Sequence, residues 1–201
     1  MPRHGQTETG PAGRPRSEAS KKAVLAATFE LLNTTTVRAL TIEAIAQKAG
    51  VGKTTIYRWW TSKTALVIET FIDVMVSGTP IPKSKTAGEA IAKHLSLLVK
   101  QYEGKLGRVV KETLAETQFE PETLAEFRRQ FFAERRVAVR EVIEGGIRSG
   151  EFDRKLDVDI ALDTIYGAIY FRLFIGHLPL NQTFAKGLAK MALSILTGKP
   201  K

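Results

Sequence analysis

Apolar positions recur along this chain at the three- and four-residue steps of an α-helix, and no stretch alternates in the two-residue rhythm of a half-buried strand. Val24, Leu25, Phe29 and Leu32 predict a first helix from about Ser17 to Leu32. Ile42, Ile45, Ala46 and Ala49 mark a second from Thr41 to Ala49. A third, short one runs from Lys53 to Trp60, with Val51, Ile56 and Trp60 turned inward. Ala65, Leu66, Ile68, Phe71, Ile72 and Met75 give a fourth, Lys63 to about Val76, a broad apolar face. A run of turn residues over 77–85 then marks a domain boundary. Beyond it, apolar stripes predict helices over 86–102 and 104–119, and Pro121, suited to a first turn, opens another to Gly145-Gly146. Asp157 caps the next, which Gly176 and Pro179 end, and the last spans about Gln182 to Leu196. The fold class is all-α, about nine helices.

The local chemistry of Thr41–Lys63 is the most informative. The Thr41 hydroxyl can accept an orphan backbone N–H, and Glu43 in the first turn suits the helix dipole. Gly50 can take the left-handed conformation that stops a helix. Two short helices joined by such a turn form a helix-turn-helix. Lys53, Thr54, Tyr57 and Arg58 fall on the outward face of the second. Cations and hydroxyls there can meet phosphates or base edges in a major groove. An ordinary helical hairpin with a solvated polar face is the plain alternative. Gly50-Val51-Gly52-Lys53-Thr54 echoes a phosphate-binding loop, but that motif needs a glycine where Gln47 stands and a strand where helix is predicted. Nucleotide binding is excluded.

Charge supports the DNA reading by its location. The chain carries a formal +9, and residues 1–63 hold ten basic against four acidic side chains. An anionic partner follows. Residues 1–16 read as a flexible basic arm, whose Arg14 and Arg16 could enter a minor groove beside the reader. The absence of cysteine excludes disulfides and thiolate metal sites, and no apolar run is long enough for a signal peptide or a membrane span. A cytoplasmic protein without membrane contact is expected.

The helix SKKAVLAATFELL, then LTIEAIAQKAGVGKTTIYRWW, then SK and an apolar helix resemble the DNA-binding domain of TetR-type transcriptional regulators over about residues 17–76. Trp59 stands where the family often has histidine or another polar residue, and Thr64 where glutamate is common. The resemblance implies a helix-turn-helix domain with its connecting helix over 17–76 and a helical regulatory and dimerisation domain over 77–201. It implies double-stranded DNA contacts by Thr41, Lys53, Thr54, Thr55, Tyr57, Arg58 and Lys63. It further implies a homodimer, formed through the last two helices, on a near-palindromic operator. Tyr166, Ile169, Leu173, Leu188, Met191 and Ile195 are the expected interface. A small-molecule effector would displace the fourth helix and release the DNA, making the protein a repressor.

The rest of the chain yields no catalytic constellation: His4, His94 and His177 are scattered, and His94 reads as a core histidine. Asp153, Asp157, Asp159 and Asp163 lack the glycine and terminal glutamate of a calcium loop. No enzyme, metal or cofactor is expected. An apolar pocket between the C-terminal helices could be lined by Tyr102, Phe119, Phe127, Phe131 and Tyr170, for which a place as plain core aromatics is the alternative. Two other functions suit the same features: an architectural DNA-binding protein without an inducer, and a helical small-molecule-binding protein.

Overall fold

The computed structural model describes residues 14–78 and 81–198. Among these it has nine helices and no strand: α1 (Arg14–Leu31), α2 (Ile42–Ala49), α3 (Lys53–Tyr57), α4 (Lys63–Gly78), α5 (Ala87–Tyr102), α6 (Lys105–Thr117), α7, α8 (Val158–Ile175) and α9 (Gln182–Thr197). The α7 rod comprises Pro121–Phe127, a π-helical stretch Arg128–Ala133, and Glu134–Arg148.

Local chemistry sets most of these boundaries. Thr41, Thr86, Asp157 and Asn181 each accept a backbone N–H from three residues on, capping α2, α5, α8 and α9. Ser62 does the same for Ala65 at the head of α4, at 3.0 Å. Gly50 closes α2 with φ 66°, a conformation in which a Cβ would be strained. α1 begins at Arg14, three residues before the predicted start, so 14–16 are helical and not part of an arm. Pro15 is compatible with this, since a first-turn residue has no intrahelical N–H bond to lose. Residues 1–13 of the expected arm, and the side chains of Arg14 and Arg16, lie outside the described residues.

α1, α2 and α3 pack together with α4 over Val24, Leu32, Ile45, Ile56, Trp60 and Leu66, each at most 3% exposed. Burial of such a side chain stabilises by about 1.5–3 kcal/mol. In the C-terminal body α9 lies along α5, while α7 packs between α5 and α8. Ile91, Leu95, Ile143, Ile165, Ile169 and Leu196 fill its centre.

The two parts meet through α6. Lys105 Nζ donates to the Phe29 carbonyl at 3.0 Å and to Asn33 Oδ1. Arg108 donates to the carbonyls of Leu32 and Thr35, and pairs with Glu112 at 3.1 Å. Glu112 in turn accepts the Val37 N–H at 2.8 Å. These bonds satisfy carbonyls left open at the end of α1, so three residues of α6 hold the segment that leads into α2. The turn into α6 is tight: a Cβ on Gly107 would lie 2.0 Å from the Tyr102 carbonyl oxygen, so only glycine fits.

Candidate nucleic-acid interface and cavity

The α3 helix is shorter than its apolar spacing predicts. It ends at Tyr57, and the N–H groups of Trp59 and Trp60 both turn back to the Ile56 carbonyl at 2.9 and 3.0 Å. The cause is Trp60, which is buried and donates its indole N–H to Glu69 at 2.7 Å. Trp59 is half-buried, with Lys21 Nζ 5.1 Å from its ring centre, and packs against α1.

With Ile56 and Trp60 anchored inside, Lys53, Thr54, Tyr57 and Arg58 stand outside. Tyr57 is 54% exposed, a large aromatic surface left in solvent at the end of α3. Thr55 is half-buried. Thr41 is exposed while its oxygen caps α2 at 3.1 Å. Lys63 reaches back from α4 to donate to the Arg38 carbonyl at 3.1 Å.

Lys53 forms an ion pair with Glu43 at 2.9 Å. Hydrogen bonding to Glu43 raises the ammonium pKa, and the same bond holds the Glu43 carboxyl below its ordinary range. Any anion arriving at Lys53 therefore competes with a carboxylate already there.

The C-terminal body holds a partly open cavity of about 220 Å³ between α5, α7 and α8. Each helix lines it with a series at four-residue steps: His94, Leu98 and Tyr102; Phe131, Arg135 and Val139; Leu162, Tyr166 and Tyr170. The α7 series begins inside the π stretch at Phe131 and continues in the α-helical part with Arg135 and Val139.

Of the five aromatics expected to line a pocket, Tyr102, Phe131 and Tyr170 do so. Phe127 is buried behind them, stacked on Phe131 with ring centres 4.7 Å apart. Phe119 is 89% exposed on the link before α7, too far along the chain to turn inward with that helix. His94 proves to be a cavity residue rather than plain core, its ring 6.2 Å from that of Tyr166. A polar residue interrupting an apolar stripe was the available signal for both His94 and Arg135.

The polar end of the cavity is a cluster of phenols. Tyr102 and Tyr170 hydroxyls lie 3.4 Å apart. The Tyr166 hydroxyl oxygen is sealed from solvent and has no hydrogen-bond partner among the described residues. Burial raises the pKa of all three, and the charge of Arg135 partly opposes it. At neutral pH they are hydroxyl donors. At the mouth, Arg136 joins α7 to α8 through Asp163 at 2.7 Å and Asp159 at 2.8 Å, and Arg140 also reaches Asp159. Hydrogen bonding from Arg136 keeps the Asp159 carboxyl below its ordinary range. Asp157 is a helix cap, and no metal-binding group of three His, Cys, Asp or Glu side chains occurs among the described residues.

The expected interface residues separate. Ile169, Leu173 and Leu188 are buried in the protomer's own core and cannot meet a partner, and Tyr166 faces the cavity. A helix apolar all round must bury one side internally, and these residues occupy that side. Ile195 is half-buried and Met191 is 60% exposed. The exposed stripe of α8 carries Ile160, Thr164, Phe171 and Ile175, and α9 exposes Gly187 and Met191.

Two family models match the chain: bacterial regulatory proteins, tetR family, over residues 24–70, and the tetracyclin repressor-like C-terminal domain over residues 81–192. The chain is 33% identical over 180 residues to the uncharacterized HTH-type transcriptional regulator YdeS of Bacillus subtilis (strain 168), covering 90% of this chain and 91% of that one. Its fold is similar to that of the TetR family transcription regulator SCO0332, with 25% identity and a TM-score of 0.77 over 89% of this chain and 98% of that one. It is also similar in fold to the regulator FadR of Bacillus subtilis in complex with stearoyl-CoA, with 21% identity and a TM-score of 0.67 over 87% of this chain and 98% of that one.

Proposed function

The chain belongs to the tetR family of bacterial transcriptional regulators, and on that premise we propose a dimeric repressor that leaves a near-palindromic operator when a small molecule fills the cavity. Family membership makes it a regulator of transcription and not an enzyme. One observation carries the DNA-reading assignment: α3 holds Lys53, Thr54, Tyr57 and Arg58 outside while Ile56 and Trp60 lock it to the core. Thr41, Thr55 and Lys63 flank that face, with Arg14 and Arg16 as further contacts from the start of α1.

Dimerisation would use the outer stripe of α8 and α9 around Phe171 and Met191, large apolar side chains left in solvent. A two-fold axis there would set two α3 helices about 34–36 Å apart, in successive major grooves. No helix among the described residues is long and apolar enough to cross a membrane, and a regulator acting on a bacterial operator would work in the cytoplasm.

The switch follows from two connections of the cavity. Tyr102 ends α5, three residues before Lys105, so a ligand that moves it also moves the start of the α6 hold on α1. The α7 rod that carries Phe131 packs on α4, the helix that continues from the reader. A ligand that favours a displaced arrangement of α4 and α6 lowers operator affinity by its differential binding, about 1–3 kcal/mol for a typical coupling.

Selection of operators from random duplex DNA, with the association state measured on the same sample, tests this function. One palindromic sequence recovered by a dimer is the expected result. Salt-sensitive binding with no enriched sequence would leave an architectural DNA protein instead.

A further inference from the structure

We propose that the cavity is built for a small aromatic acid, one ring bearing one ionised oxygen group, with the ring on the Phe132–Tyr170 side and the anion toward Tyr166 Oη and Arg135. This ligand class rests on the cavity being the effector site of the regulator.

Size sets the first limit. A cavity of about 150 Å³ holds benzene. At about 220 Å³ this one holds a ring and a carboxyl group, and of a long acyl chain it has room for the first part alone. The wall selects the ring. Phe132 and Tyr170 lie 5.6 Å apart between centres, and Tyr170 is stacked further on Phe174 at 6.2 Å. Such a wall favours offset or edge contacts with another aromatic over an aliphatic chain of equal area.

The polar end selects the charge. The Tyr166 hydroxyl is sealed and unpartnered among the described residues, so an incoming acceptor gains a hydrogen bond without displacing one. Burial keeps it protonated, as it does Tyr102 and Tyr170, so these groups can donate to an anion without becoming anions themselves. The Arg135 guanidinium, 5.2 Å from the Phe131 ring centre, supplies positive charge to this end. Asp163, the carboxylate at the mouth, is already paired with Arg136. A hydrogen bond to an ionised acceptor is roughly twice as strong as one to a neutral acceptor, so an acid gains over its amide.

Calorimetry on the full-length protein with benzoate, its neutral isostere benzamide, and decanoate provides the test. Benzoate is expected to bind about tenfold more tightly than benzamide or decanoate. Tyr166→Phe should weaken benzoate about tenfold while leaving the melting temperature unchanged or higher, because the hydroxyl it removes has no partner to lose. Arg135→Gln should erase the preference for benzoate over benzamide. Equal binding of benzoate and benzamide, benzoate affinity unchanged in both variants, or no benzoate binding at millimolar concentration would each overturn the ligand class.

Operator binding on the same samples separates this inference from the regulator function. Selective benzoate binding with no effect on a selected operator keeps the ligand class and removes its regulatory role. Loss of benzoate selectivity with intact operator recognition removes the ligand class alone.

Discussion

Lys105 places its ammonium 3.7 Å from the centre of the Phe29 ring while donating to the carbonyl of the same residue. The first residue of α6 thus grips both the side chain and the backbone of α1. Burial, followed by the nearby charge of Arg108, lowers the Lys105 pKa, so the cation is held at some electrostatic cost. Lys105→Met should destabilise the protein by about 0.5–1 kcal/mol, the scale of an exposed cation–π contact. Arg108→Met should cost about 1–3 kcal/mol, because the carbonyls of Leu32 and Thr35 and the Glu112 carboxylate lose their donor. Denaturant titration reads both, and both variants should show a reduced effect of ligand on operator affinity.

Tyr57→Ala should weaken operator binding by about 1–3 kcal/mol, the range of a good specific contact, without lowering the melting temperature. The side chain is half in solvent, so its removal opens no cavity. Loss of stability together with binding would assign Tyr57 to the core instead.

Glu43→Gln removes the carboxylate that Lys53 now engages. Operator affinity should rise, and the logarithmic salt slope should steepen toward that of one additional phosphate contact. Fluorescence anisotropy across a salt series measures both, and an unchanged slope would place Lys53 away from phosphate.

Above about pH 10 the unfolded chain loses protons from Tyr102, Tyr166 and Tyr170 while the folded chain keeps them. The unfolded state then binds fewer protons, so stability falls as pH rises. The contribution is whole below the ordinary phenol range and declines by roughly 1.4 kcal/mol per pH unit for each phenol above it. Ultraviolet titration should show three of the four tyrosines resisting ionisation until alkaline unfolding. Simultaneous ionisation of all four in the folded protein would mean that the cluster is open to water.

Phe171→Asp, on the outer stripe of α8, should convert a dimer to monomers with the α-helical content retained. Sedimentation velocity checks it. Ile169→Asp should unfold the chain instead, because that side chain is in the protomer's own core.

What the sequence revealed was local. Thr41, Asp157 and Gly50 act through neighbours within a few residues, so their roles follow from residue type and spacing alone. The outward set on α3 was readable for the same reason. Side chains whose roles depend on which helices meet were harder. Ile169 and Met191 are both apolar residues on helices rich in them, and only packing decides which faces inward. Phe119 and Phe131 likewise differ only in whether their segment lies against α5 and α8. The π stretch left no such local mark, since the same four-residue steps line the cavity from the unbroken α-helices α5 and α8.

That stretch, Arg128–Ala133, has a consequence for how such a protein can diverge. A π turn holds about one residue more than an α turn, so deleting a single residue within it would let the backbone relax to α-helical pitch with Pro121–Phe127 nearly in phase against Glu134–Arg148. The side chains inside the stretch, Phe131 and Phe132 among them, would be re-aimed and the wall beside Tyr170 rebuilt, while every residue of α2 and α3 stayed in place. A lineage could in this way change the chemical it answers to in one step and keep the genes it controls.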